Sequence, residues 1–213
     1  MCKNKVFKAC TDANYVKLRY ILDNLKDDSK KEQIKKMFNT HMEELTDFIL
    51  NDDFFTRGTL TENFIKNLHR KLFPPHYKET KKSLSWKEVV YFIPWEYKKY
   101  PNFPRVWPSN VKKEMQYWIN DYNTKIKQIE NKFDFIALKV VEFLRIHPFA
   151  NANGITISII FDLMLIQNWF ENFWFKRKYL ILWFKDKFFK AIENYILTKN
   201  EENYLNFIKK YLH

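Results

Sequence analysis

His147-Pro148 ends one run of helical apolar spacing, and Phe149-Ala150-Asn151-Ala152-Asn153-Gly154 leads into the next. An imidazole titrates near 6.5, so a histidine at the mouth of such a loop can take a proton from a hydroxyl at neutral pH. Gly154 is one of only 2 glycines in the chain. At the start of a helix it lets the amides of residues around 152 to 156 converge without a Cβ in the way. With the helix dipole behind them, such amides form a nest for an anion, phosphate above all. Phe149 reads as an apolar anchor directed into the core. Asn151 and Asn153 add amide groups for a metal ion or a phosphate. A lone histidine is more often a partly buried structural residue than a base, so the weight rests on the combination.

The elements around this loop follow from spacing. Ile129, Phe133, Ile136, Val140 and Phe143 sit at alternating steps of four and three, and the next step of four lands on His147. This predicts a helix over 124–147 whose buried face ends at the histidine; Pro148 then disfavours helix at His147. ITISIIFDLMLIQ restarts the period and predicts a helix over 155–168. Upstream, Ile34, Met37, Phe38, His41, Leu45 and Phe48 form one amphipathic stripe, and Phe64, Ile65, Leu68 and Leu72 another, which Pro74 and Pro75 stop. His41 and His69 lie among these apolar residues and read as structural. From Ser83 to Tyr91 the pattern alternates through Leu84, Trp86, Val89 and Tyr91, as in a short strand or hairpin. Pro94, Pro101, Pro104 and Pro108 then punctuate an aromatic loop expected to pack on the core. Val111, Met115 and Trp118 open a further helix.

The chain as a whole sets limits. Its 213 residues, 46% hydrophobic and 19% aromatic, suffice for one folded domain and argue against disorder. Two glycines cannot spell a dinucleotide-binding GxGxxG turn or a Walker A loop. Cys2 and Cys10 offer neither a disulfide framework nor a cysteine zinc site, and a reducing compartment fits them. The start, MCKNKVFKACTDANYVK, breaks every apolar run with charge, and the most apolar stretch, 146–161, is too short to span a bilayer; a cytoplasmic protein without a transmembrane segment is expected. The net charge of +12 leaves nucleic acid, anionic lipid, nucleotide phosphate or an acidic protein open as partners. The run from Trp169 to Lys190 interleaves Lys and Arg with aromatics. Core packing is the commoner outcome for such a run, with part of it free for a protein partner.

The loop HPFANANG resembles the active-site motif of the Fic family, usually H-P-F-x-[D/E]-[G/A]-N-G-R-x-x-R between two helices. LTENFIKNLHRKLF resembles the family's early helix, FDLMLIQN the helix after the motif, and 83–94 falls where its flap belongs; the likeness covers about 45–168. The resemblance implies an all-α, Fic-type helical bundle with a small β-hairpin flap. It suggests N-terminal helices over 1–44, a Fic-like domain over 45–197 and a C-terminal helix over 198–213. It implies transfer of AMP from ATP to a Ser, Thr or Tyr hydroxyl of a target protein, with His147 as base, Phe149, Ala152, Asn153 and Gly154 around the nucleotide, and ATP with Mg²⁺ as cofactors. The target would dock along Lys87, Val89, Val90, Tyr91 and Phe92 of the flap.

Three departures stand out. Asn151 replaces the metal-binding carboxylate and is at best a weak ligand. Ile155 and Ser158 stand where the motif has arginines, so the guanidinium contacts to a triphosphate are missing. Thr198-Lys199-Asn200-Glu201-Glu202-Asn203 matches the inhibitory pattern [S/T]-x-x-x-E-[G/N], yet Glu202 lacks its usual arginine partner, here Ser158. Thr198, Glu202 and Asn203 are thus either regulatory or a capped helix start, with Thr198 as N-cap. The functional alternatives are a catalytically dead relative that binds protein or nucleotide and, ranked last, a basic nucleic-acid-binding protein whose affinity falls steeply with salt.

Overall fold

The computed structural model describes residues 2–23, 26–73, 80–85, 88–93, 95–101, 105–170 and 185–212. The chain runs α1 (Cys2–Asp23), α2 (Asp28–Leu50), α3 (Asp53–Arg57), α4 (Glu62–Lys71), β1 (Thr80–Ser85), β2 (Glu88–Phe92), α5 (Pro108–Lys125), α6 (Lys132–Ile146), α7 (Asn153–Gln167), α8 (Lys185–Thr198) and α9 (Glu201–Leu212). Between α4 and α5 the backbone forms an antiparallel pair in which Thr80 faces Phe92 and Ser83 faces Val89; all other described elements are helices.

Helix α7 lies at the centre. It buries Ile157, Ile159, Ile160, Phe161, Leu163, Met164 and Leu165 around most of its circumference, and Asp162 is buried in the remaining sector. A helix buried on nearly every side must be enclosed, and α6, α1 and α4 pack against it. On its other sides α6 meets α5, α8 and α9. Local chemistry sets the helix starts. Asp27 accepts from the amides of Ser29 and Lys30, Asp52 from Phe54, Thr61 from Phe64 and Asn131 from Asp134. Gly58, at φ 71, ends α3 in the left-handed conformation that glycine takes without penalty. Asn123 of α5 pairs with both backbone groups of Leu60, donating at 2.8 Å and accepting at 2.9 Å, and so fixes the chain's entry into α4.

Two expectations need correction. The helix expected over 124–147 is interrupted: α5 closes at Lys125, the chain turns, and Asn131 starts α6. The Asn131 side chain accepts from the Asp134 amide at 3.1 Å and donates to its carboxylate at 2.7 Å, a start signal that the apolar period ran across. Ile129 still packs on the core from within the turn, which is why the spacing looked continuous. Met37 is the other case: it is 64% exposed, while Met42, Leu45 and Ile49 carry the buried face of α2.

Candidate functional site

Helix α6 ends on His147, whose amide donates to the Phe143 carbonyl at 2.8 Å and whose backbone is left-handed, at φ 51. A non-glycine residue there stores strain, and neighbouring bonds must hold it. Three of them act on the carbonyls around it. The Val106 amide donates to Arg145 at 3.3 Å, the Lys98 ammonium to Ile146 at 3.3 Å, and the Lys98 amide to Pro148 at 2.8 Å. The segment ahead of α5 is thereby stitched to the end of α6.

Phe149 is fully buried, as its role as anchor requires. Its ring stacks on His69 of α4, with centroids 3.8 Å apart and planes within 17°, and meets Tyr97 at 5.8 Å. His69 is itself buried, and its Nε2 lies 2.9 Å from the Asn151 carbonyl. A carbonyl only accepts, so Nε2 carries a proton. Burial drives its pKa down to about 4, against a smaller upward pull from the bond to Asn151.

Asn153, only 2% exposed, closes the loop on itself. Its oxygen accepts from the Phe149 amide at 2.9 Å, and its nitrogen donates to the Phe149 carbonyl at 2.8 Å. That side chain is committed to the loop, so its backbone amide is what it can offer a ligand. Ala152 is left-handed at φ 54, its amide donates to the Asn151 side chain at 2.9 Å, and the Thr156 amide is taken by the Ala152 carbonyl. The amides expected to face an anion therefore narrow from 152–156 to the first-turn amides of residues 153–155, which a helix leaves without intrahelical acceptors. Gly154 is not left-handed, and a Cβ built there meets nothing within 4 Å. The fold does not demand glycine at this point.

The residues present do not fit a hard dication. Asn151 offers a neutral oxygen that already accepts from Ala152, and no group of three or more His, Cys, Asp or Glu gathers among the described residues. Ile155 and Ser158, on the first two turns of α7, supply no charge to the loop.

The C-terminal segment is a turn between α8 and α9. Thr198 is not the N-cap of α9: its hydroxyl donates back to Asn194 at 2.7 Å, and Asn200 caps α9 by accepting from the Asn203 amide at 3.0 Å. Glu202 and Asn203 are exposed. Lys209 pairs with Asp134 near the start of α6, while Lys199 feels Arg145, Glu142 and Glu114 near its end. The turn thus lies beside the final turns of α6. Burial first, and Arg145 second, hold the Lys199 ammonium below its usual range.

Of the segment 169–190, residues 171–184 lie outside the described residues; Trp169 is 86% exposed. Lys87, expected in a flap, also lies outside them, while Val89, Val90, Tyr91 and Phe92 belong to β2. No helix among the described residues is long and apolar enough to cross a membrane. Two residues that hold the loop escaped the sequence reading. His69 sat inside LTENFIKNLHRKLF but read as ordinary core, and Lys98 carried no signal at all.

A model of the Fic/DOC family matches residues 59–165, while no curated protein matches the chain. The matched span is half of the sequence and runs from the approach to α4 through nearly all of α7, with the fastened loop inside it, and on that footing the chain belongs to the Fic/DOC family.

Proposed function

We propose that this domain transfers a phosphorus-linked group, AMP from ATP, to a Ser, Thr or Tyr hydroxyl of a target protein. The observation that carries the reading is the locked arrangement of His147 across a short, internally bonded loop from the first-turn amides of α7. In the step envisaged, His147 takes the hydroxyl proton and the oxygen attacks the α-phosphorus. The bond from that phosphorus to the bridging oxygen breaks, and pyrophosphate departs. The amides of residues 153–155 face the charge that builds on the non-bridging oxygens. No step is assigned to a metal, because the donor set does not fit one. With Ile155 and Ser158 in place of charged clamps, the β- and γ-phosphates gain little, and turnover is expected to be slow. The edges of the β1–β2 pair suit a target segment that docks by strand addition.

The test is label transfer from α-labelled ATP to the protein itself or to proteins of a lysate, with His147→Ala as control. Label that depends on His147 supports the reading; no label, or equal label in the control, removes it.

A second reading rests on the same uncharged clamp positions: a binding module that holds a diphosphate-containing nucleotide or a protein without chemistry. Calorimetry with ADP and ATP, with and without Mg²⁺, separates the two. Nucleotide affinity that is indifferent to Mg²⁺, in a protein that transfers no label, favours the module.

A further inference from the structure

We infer that Lys98 is the positioning residue for His147. The inference rests on the transfer reading for its kinetic arm, but its structural arm stands without it. Lys98 grips both carbonyls that flank the histidine: its ammonium lies 3.3 Å from the Ile146 oxygen, and its own amide donates to the Pro148 oxygen at 2.8 Å. These bonds span the one residue of the α6–α7 connection that must be both left-handed and followed by proline. Proline pushes its predecessor toward extended backbone, so the conformation of His147 runs against local preference and needs an external restraint on each side.

The choice of lysine has a reason. A helix C-terminus carries partial negative charge on its last carbonyls, and a cation placed on them is favourable. Lys98 is only 5% exposed, and a buried ammonium is costly unless it is hydrogen-bonded, so its stem and head are held against the end of α6 rather than swinging in solvent. The lysine thus satisfies a terminal carbonyl of α6 and, one peptide away, sets the direction in which the imidazole leaves the backbone. His69 and Asn153 fasten the other side of the loop, at Phe149 and Asn151, and do not touch the carbonyls that flank His147.

The decisive variant is Lys98→Met, which keeps the stem and the backbone amide and removes the ammonium; Lys98→Arg restores a cation and a donor. Two readouts are taken on the full chain after thermal melts establish folding. In label transfer, Lys98→Met is expected to lower kcat on the order of tenfold to a hundredfold, as a small misplacement of a base does. KM for ATP should hold within about twofold, because the donor-binding amides are untouched, and Lys98→Arg should recover much of the rate. The second readout needs no catalysis: the rate at which diethyl pyrocarbonate modifies each histidine, followed by mass spectrometry. His147 should react several-fold faster in Lys98→Met and near the wild-type rate in Lys98→Arg, with His41 as the unchanged internal reference. If the methionine variant does not fold, Lys98→Gln, which keeps a donor without the charge, is read in the same way. Should no variant transfer label while His147 reactivity still follows residue 98, the transfer reading falls and the positioning role stands. Unchanged kcat and unchanged His147 reactivity in a folded Lys98→Met or Lys98→Gln protein would overturn the inference.

Discussion

Ala152 and His147 bracket the loop, and both are left-handed without being glycine, at φ 54 and 51. The same strain has different standing at the two positions. At His147 the side chain is the candidate base, so glycine would relieve the backbone and remove the chemistry. At Ala152 only a methyl group is at stake. A left-handed L-residue costs roughly 1–2 kcal/mol, and the extra freedom of an unfolded glycine returns part of that. Ala152→Gly is therefore expected to stabilise the fold by about 0.5–1 kcal/mol and to raise Tm by about 1–4 °C, measured by urea and thermal unfolding. A fall in stability would mean that the packing of the Ala152 methyl on the core outweighs the strain. The sequence already hinted at this position, since the family motif allows glycine or alanine there. It did not reveal that Asn153 spends its side chain on Phe149. An asparagine in a loop advertises hydrogen-bonding capacity without saying whether ligand or backbone will use it.

Helices announce themselves by period, and the contacts between them do not. The apolar stripe of α4, the run of α7 and the buried face of α6 were legible because apolar spacing is a local signal, although α7 opens at Asn153 and not at 155. The break between α5 and α6 was missed because Ile129 kept the period while Asn131 reset the backbone. The bond from His69 to Asn151 joins α4 to the motif loop across 82 residues, and no local pattern records it. Its consequence is a pH dependence with a definite sign. Burial holds the folded-state pKa of His69 at about 4, below the usual imidazole value of 6.5. The unfolded chain therefore binds this proton first as pH falls. The stability that comes from keeping His69 neutral is complete above pH 6.5 and is lost progressively between 6.5 and 4. At pH 4.5 the loss amounts to roughly 2–3 kcal/mol. His69→Phe keeps an aromatic ring against Phe149 but removes the titration and the bond to Asn151. It is expected to cost about 1 kcal/mol at pH 7 and to be relatively more stable than wild type by pH 4.5. Urea unfolding of both proteins at pH 7, 5.5 and 4.5 checks this crossing; parallel pH curves would show that another group carries the acid sensitivity.

The matched family region starts at residue 59, yet the packing of the molecule does not. Helix α1 lies against both α2 and α7, with Val6, Ala9 and Cys10 fully buried. Burial pushes the Cys10 thiol up to about 12, and the groups that face it are Thr46 of α2 and Asp162 of α7. Asn14 joins α1 to α2 by donating to the Met42 sulfur at 3.8 Å, while also donating to the Cys10 carbonyl of its own helix at 2.9 Å. Because α7 is buried around nearly its whole circumference, with Asp162 as the charged exception, the surface that α1 covers cannot simply be left to water. The consequence reaches the site: α7 carries the amides of residues 153–155 at its first turn, and the direction of those amides is the direction of the helix. A charge placed under α1 therefore tests whether its support of α7 is felt at the loop. Val6→Asp puts a carboxylate into a fully enclosed position, which costs about 4 kcal/mol and should lower Tm by about 8–16 °C. Since α1 bears on the length of α7 and the loop at its start is held separately by Asn153, His69 and Lys98, the diethyl pyrocarbonate reactivity of His147 should stay near wild type at temperatures where the variant remains folded. A large fall in Tm with an unchanged His147 places α1 among the supports of the core and the loop under its own restraints. Faster modification of His147 in folded Val6→Asp would instead show that α1 sets the axis of α7, and that the region needed for a working loop extends well ahead of residue 59.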